Sequence, residues 1–180
     1  MTSPTALMSA KREFVKISDE NKISHYFSRK TIIGDITICA RENAVIGLHF
    51  GGRYFSEAEN AESEIIRKAF AQLDEYLEGS RRDFDIKLAY DGSNFRVSVW
   101  DQLRRIPCGE TKSYKEIACG AGNPRSCRAV GKACGKNPIP VFIPCHRVVG
   151  ADGNLTGYAG GINLKKKLLK IEKTTAISPC

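Results

Sequence analysis

At 180 residues the chain is long enough to bury a core without disulfide staples, as one sizeable domain or two small ones. Lysine and arginine outnumber aspartate and glutamate by 28 to 20, a net charge of +8 that points toward a polyanion partner. The excess is local, because basic residues concentrate between Arg96 and Lys136 whereas Ser56 to Glu78 is acidic.

Met1 to Leu7 has no basic start followed by an apolar stretch, and no run approaches the length that crosses a bilayer. The expectation is an intracellular, cytoplasmic protein whose seven cysteines are thiols, since an odd number cannot all pair within one chain. No C-x-x-C pair occurs, and Cys119, Cys127 and Cys134 lie in a helical region without neighbouring histidines, so no metal site is expected.

In chain order, Ser24 to Ser28, Gly34 to Ala40 and Ala44 to Phe50 read as short strands of a small antiparallel sheet. From Glu59 to Leu77 the apolar residues Ile65, Ile66, Ala69, Phe70, Leu73, Tyr76 and Leu77 recur at helical spacing, predicting one covering helix that Gly79 stops. The polar stretch from Glu78 to Asp85 and the turn signal Asp91-Gly92-Ser93 put a domain boundary between about residues 80 and 92. The expected division is an N-terminal supporting domain, 1–88, and a C-terminal domain, 89–180.

The second half reads as mostly helical, so the fold class is α+β. Phe95, Val99, Leu103 and Ile106 line one face of a helix closed by Pro107. Ser113 and Glu116 fit a capping box opening a helix to about Cys119, which Gly120-Ala121-Gly122-Asn123-Pro124 breaks. A further helix from about Ser126 to Gly135 carries the small residues Ala129, Gly131 and Ala133, which permit close backbone approach. Two short helices around a glycine-containing turn form the pattern of a helix-turn-helix, and Arg125, Arg128, Lys132 and Lys136 supply charge for nucleic-acid contact.

Prolines 138, 140 and 144 bias the chain from Asn137 to Val149 toward extended or turning backbone. There Ile-Pro-Cys145-His146-Arg-Val-Val sets a thiol beside an imidazole in an apolar run. A thiol becomes a strong nucleophile as its thiolate, and a neighbouring base populates that form. Taken alone, Cys145 is a buried apolar cysteine, His146 a core histidine and Glu172 a surface acid; taken together they form a nucleophile, a base and a carboxylate that orients it. Adjacent side chains of a strand point to opposite faces, so either the chain bends at Cys145 or a water bridges sulfur and imidazole. His25 and His49 read as structural.

The order Trp100-Asp101-Gln102-Leu103, Ile106 to Thr111, Ser113-Tyr114, Arg128-Ala129-Val130-Gly131, Asn137-Pro138, "IPCHRVVG" at 143–150 and "GYAGG" at 157–161 strongly resembles the O6-alkylguanine-DNA alkyltransferases, also called methylated-DNA-protein-cysteine methyltransferases. The resemblance is close over residues 92–173 and general in the N-terminal half, where it implies a ribonuclease H-like domain. It implies a single-turnover transferase that flips O6-alkylguanine out of double-stranded DNA and moves the alkyl group irreversibly to Cys145. O4-alkylthymine is left as a further substrate.

In that reading His146 takes the thiol proton through water, Glu172 orients the imidazole, and Tyr114 helps rotate the nucleotide and gives a proton to guanine. Tyr114, Lys115, Asn123, Arg128, Ala129 and Lys132 contact DNA, with Arg128 filling the vacated stack. Asn137, Pro140, Val148, Tyr158, Ala159 and Gly160 complete the pocket, Asn137 as the hinge and Gly160 keeping the wall open. Ala159 departs from members with serine there, which bears on tolerance for bulky alkyl groups.

No cofactor, metal or membrane is implied, and the first thirty residues lack the cysteines and histidines that bind zinc in some relatives. A monomer is expected, with association along DNA left open. The competing readings are a non-catalytic alkyltransferase-like or regulatory helix-turn-helix protein, which has no use for Cys145, and a cysteine hydrolase, which turns over repeatedly.

Overall fold

The computed structural model describes residues 23–177. The expectations for the extreme N-terminus, including the absence of a leader, lie outside the described residues.

Strands β1 (His25–Thr31), β2 (Gly34–Arg41) and β3 (Ala44–Phe50) form the antiparallel meander that the sequence predicts, joined by two-residue turns. A correction concerns the edge: β4 (Glu59–Asn60) pairs parallel to β1, so the sheet is mixed, in the order β3-β2-β1-β4. Those two residues belonged to the expected helix. They are drawn into the sheet because Glu59 N–H donates to Ser24 and Ala61 N–H to Tyr26, and helix α1 (Glu64–Leu77) starts only after Ser63.

Helix α1 lays Ile66, Ala69, Phe70 and Leu73 on Ile36, Ile38 and Leu48 of the sheet, all essentially inaccessible. Burial of this kind contributes roughly 1.5 to 3 kcal/mol per large apolar side chain, before the entropy of ordering it. Residues 87–89 run beside β3, with Val45 N–H donating to Lys87 and Ala89 N–H to Val45. The apolar core is continuous from the sheet through Trp100 and Ile139 to Leu168.

In the second half α2 (Asn94–Leu103) leads through the Cys108-Gly109 turn to β5 (Lys112–Ser113), which pairs in parallel with β6 (Val148–Val149). Helix α3 (Tyr114–Gly120) opens with the expected capping box: Ser113 Oγ accepts from Glu116 N–H at 3.2 Å, and Ser113 N–H donates back to Glu116 at 2.8 Å. Helix α4 (Cys127–Gly135) follows the 121–126 turn and completes the helix-turn-helix. Trp100 on α2 ties it down by donating from Nε1 to the Ala133 carbonyl at 3.0 Å.

A 3₁₀ turn at Cys145–Arg147 bends the chain before β6, and α5 (Ile162–Ile177) closes the fold. Its inward stripe is Lys165, Leu168 and Glu172, spaced three and four residues apart and all fully buried.

Candidate active site

Cys145 is placed by a loop with few options. Asn137 accepts from Ile139 N–H through Oδ1 at 3.1 Å and donates from Nδ2 both to the Ile143 carbonyl, 2.8 Å, and to Cys145 Sγ, 3.2 Å. Between these anchors Val141 is buried with φ of 75°. A β-branched residue in the left-handed region is strained, and only over-determined surroundings hold it there. Asn137 thus fixes both the loop and the sulfur.

The thiol lies at the base of a cavity of about 620 Å³ whose walls are Tyr114, the Arg128 side of α4 and the Thr156–Ala159 segment. Tyr158 lies beside His146, ring centroids 6.3 Å apart and nearly perpendicular, and Tyr114 accepts a hydrogen bond from Thr156 at 2.8 Å. Cys127 and Cys134 also line the cavity, two thiols that the sequence reading left among ordinary helical residues.

Beneath Cys145 the side chains are shut off from bulk solvent. His146, Glu172 and Tyr76 are all buried. His146 Nε2 and Glu172 Oε1 are 2.7 Å apart; because an ionised carboxylate only accepts, Nε2 carries the proton and Nδ1 keeps the lone pair. Nδ1 has no hydrogen-bond partner among the described residues, and neither has the Tyr158 hydroxyl.

Arg147 Nε reaches both Glu172 oxygens, at 3.0 and 3.2 Å, while its Nη1 donates to the Ile106 carbonyl. Gly109 N–H donates to Glu172 Oε2 at 3.1 Å. From α1 the Tyr76 hydroxyl donates to Oε1 at 2.6 Å.

These partners set the charges. Burial alone would raise the Glu172 pKa, but the hydrogen bond from His146 and the Arg147 guanidinium bring it down to about 2. Burial pushes the His146 imidazole below its ordinary value, against the upward pull of Glu172. The site therefore holds a charged carboxylate, balanced by Arg147, and a neutral imidazole.

Burial raises the Cys145 thiol, while the Asn137 amide and the Lys165 ammonium favour its ionised form. Burial holds Cys39 and Cys134 at about 12 and Cys108 at about 11. The Lys165 ammonium donates to the carbonyls of Val148, 2.6 Å, and Thr156, 3.0 Å.

Of the residues singled out from the sequence, Cys145, Tyr114, Arg128, Tyr158 and Ala159 meet at the cavity, with His146 and Glu172 directly behind the thiol. Lys115, Asn123, Ala129 and Lys132 are exposed on α3, the turn and α4. Asn137, Pro140 and Val148 lie behind the cavity rather than on its wall. Asn137 grips the sulfur, Pro140 forms a bridge with Ile143, and fully buried Val148 pairs in β6 and binds Lys165 through its carbonyl.

Gly160 is likewise a packing residue: a Cβ there would collide with Leu164 and come within 3.1 Å of the Phe50 ring. Sequence reasoning missed Tyr76, Arg147 and Lys165. The only advance signal was negative, in that Tyr76 sits on the apolar stripe of α1.

No group of three or more histidine, cysteine or acidic side chains suited to a metal occurs among the described residues, and no helix among them is long and apolar enough to cross a membrane.

A thiol backed by a desolvated imidazole–carboxylate pair, set in a cavity walled by a helix-turn-helix, is the arrangement of a protein suited to present a cysteine to a ligand at those helices. Residues 24–90 match the 6-O-methylguanine DNA methyltransferase ribonuclease-like domain and residues 94–174 the DNA binding domain of the same family. A methylated-DNA–protein-cysteine methyltransferase of Methanosarcina acetivorans is 52% identical over 109 residues, 61% of this chain and 70% of the relative. The constitutive enzyme of Bacillus subtilis is 36% identical over 159 residues, 84% of this chain and 96% of the relative. The crystal structure of Mycobacterium tuberculosis OGT in complex with DNA superposes with a TM-score of 0.79 at 40% identity, covering 84% of this chain and 94% of that one. The chain belongs to the 6-O-methylguanine DNA methyltransferase family.

Proposed function

We propose that this protein repairs DNA by direct reversal, taking the alkyl group from O6 of guanine and keeping it on Cys145. The observation that carries this reading is the Cys145 thiol at the cavity base with the neutral His146 behind it, its Nδ1 unengaged and its Nε2–H held by Glu172.

The substituent of a stacked base cannot reach a buried sulfur, so the nucleotide must first rotate out of the duplex. Arg128, exposed at the cavity mouth, takes the vacated place in the stack, and Tyr114, which also lines the cavity, guides the rotated nucleotide. Lys115, Asn123, Ala129 and Lys132 contact the flanking backbone.

His146 Nδ1 then accepts the thiol proton through a bridging water, and Glu172, itself held in place by Arg147, stabilises the imidazolium. Sγ attacks the alkyl carbon; the S–C bond forms as the C–O6 bond breaks, the bonding pair stays with guanine, and Tyr114 supplies the proton the base regains. Burial keeps the Tyr114 phenol protonated until then, its pKa lying above the usual value. The thioether has no group poised to cleave it, so one protein repairs one lesion.

In this reading residues 1–88 form the supporting domain and 89–180 the active one, working as a monomer in the cytoplasm. The test is mass spectrometry after incubation with duplex DNA carrying O6-methylguanine. One methyl group per chain, on the Cys145 peptide, is expected; repair beyond one equivalent, or methyl groups spread over several cysteines, overturns the mechanism.

A further inference from the structure

The geometry points to a working part for the N-terminal half: we propose that Tyr76 is a positioning residue for alkyl transfer, its hydroxyl completing the hydrogen-bond shell that keeps Glu172 ionised and presents His146 with Nδ1 free. The inference rests on Cys145 being the acceptor and His146 its base.

Glu172 receives donors from several stretches of chain. Oε1 takes the Tyr76 hydroxyl at 2.6 Å, His146 Nε2 at 2.7 Å and Arg147 Nη2 at 2.9 Å, while Oε2 takes Gly109 N–H at 3.1 Å. Of these donors only Tyr76 comes from the N-terminal half. Its oxygen also lies 3.3 Å from His146 Nε2, so it touches both members of the pair. The ring is held in place by Phe84, at 5.1 Å between centroids, which in turn stands edge-on to Phe142 at 4.6 Å.

A buried tyrosine satisfied by any acceptor would need only one bond. A hydroxyl set between the carboxylate and the imidazole has a chemical effect: it donates to Oε1 without adding charge, and so limits how strongly Glu172 attracts a proton onto His146.

The sign follows from that. Removing the hydroxyl leaves Glu172 less neutralised, which favours the imidazolium and shifts loss of the free base to higher pH. The other groups facing His146 remain: Glu172 and Lys165 from α5, Arg147 from its own turn and the Tyr158 ring from the preceding loop.

The experiment compares the full-length chain with Tyr76→Phe in single-turnover transfer from O6-methylguanine duplex DNA across pH, with DNA affinity measured separately. The expected result is a rate lower by about tenfold at neutral pH, the size of one hydrogen bond to a charged group, an acid limb moved upward, and unchanged affinity. Phe84→Leu is the packing control, since it loosens the ring and keeps the hydroxyl; it should lower thermal stability and leave the pH of the limb in place.

Nitrogen NMR of the wild-type His146 ring gives a reading independent of variant folding, with Nε2 protonated and Nδ1 bare at neutral pH. A Tyr76→Phe limb at the wild-type pH, or the opposite tautomer, overturns the proposal. If Cys145→Ala still transfers the alkyl group, the acceptor reading itself fails; if it does not and Tyr76→Phe behaves as wild type, only the role of Tyr76 is lost.

Discussion

The two sides of Cys145 are built on opposite plans. Behind it, Tyr76, His146, Arg147 and Glu172 are sealed from water, and each Glu172 oxygen accepts more than one donor. In front, Arg128, Thr156, Gly157 and Ala159 are exposed and, with the half-buried Tyr158, surround open volume. A low dielectric makes the rear cluster sensitive to one misplaced atom, because an unpaired group there has no solvent to turn to. The front instead works through long-range charge and through a cavity shape that a rotated base can enter. Reactivity is set behind the sulfur, and choice of ligand in front of it.

The sharpest separation comes from the sulfur. Cys145→Ala should abolish transfer while alkylated DNA still binds, as followed by parallel methyl-transfer and gel-shift assays; any residual repair refutes the assignment. Glu172→Gln comes next. It leaves Arg147 without a counter-ion, so transfer should slow on the order of a hundredfold, and a calorimetric scan should register roughly 3 to 5 kcal/mol of lost stability. An unchanged rate would mean that the rear cluster is only structural.

A change in front should instead discriminate between substrates. Arg128→Ala is expected to slow repair in duplex DNA by about tenfold or more while leaving reaction with a free alkylguanine base near normal, since a free base needs no rotation. Equal losses would sink the distinction. Smaller still, Lys132→Gln should reduce the log–log salt slope of DNA binding by about one, a phosphate contact being worth about −0.9 in that slope; the rear variants should leave the slope alone.

The pH dependence of transfer belongs to the rear. Because the folded pKa of His146 lies below 6.5, the unfolded chain takes up that proton first, so its contribution to stability is complete above about 6.5 and falls as the pH drops. The acid limb of transfer should therefore sit below pH 6.5. For Glu172, whose pKa falls from 4.5 to about 2, the contribution is complete above about pH 4.5 and is lost toward 2. Acid unfolding followed by circular dichroism should show both, and Glu172→Gln should shrink the lower one, leaving the part due to the Glu116 capping box.

How much of this was legible in the chain varies with distance. Local signals worked: the period from Ile65 to Leu77, the Ser113–Glu116 capping box and the prolines around Cys145 each act within a few residues. Glu59 and Asn60 misled, because their strand exists only through β1, more than thirty residues earlier. Lys165 and Arg147 take no role in the sequence reading, since nothing local marks them for burial; their carbonyl and carboxylate partners arrive from β6, the Ile106 turn and α5. The strained φ of Val141 was equally hidden, being imposed by the Asn137 anchors on either side.

The shell around Glu172 also bears on quality control. Tyr76 and Glu172 lie 96 residues apart, and Gly109 and Glu172 lie 63 apart. Contacts of such long sequence separation carry the largest loop-closure cost and belong to the late stages of folding. A nascent or partly unfolded chain therefore has no assembled base behind Cys145 and no pocket in front of it, and cannot take an alkyl group from DNA. Alkyl transfer from DNA is in this sense a stringent reporter of the native state, counting only molecules in which Tyr76 and Gly109 have reached Glu172.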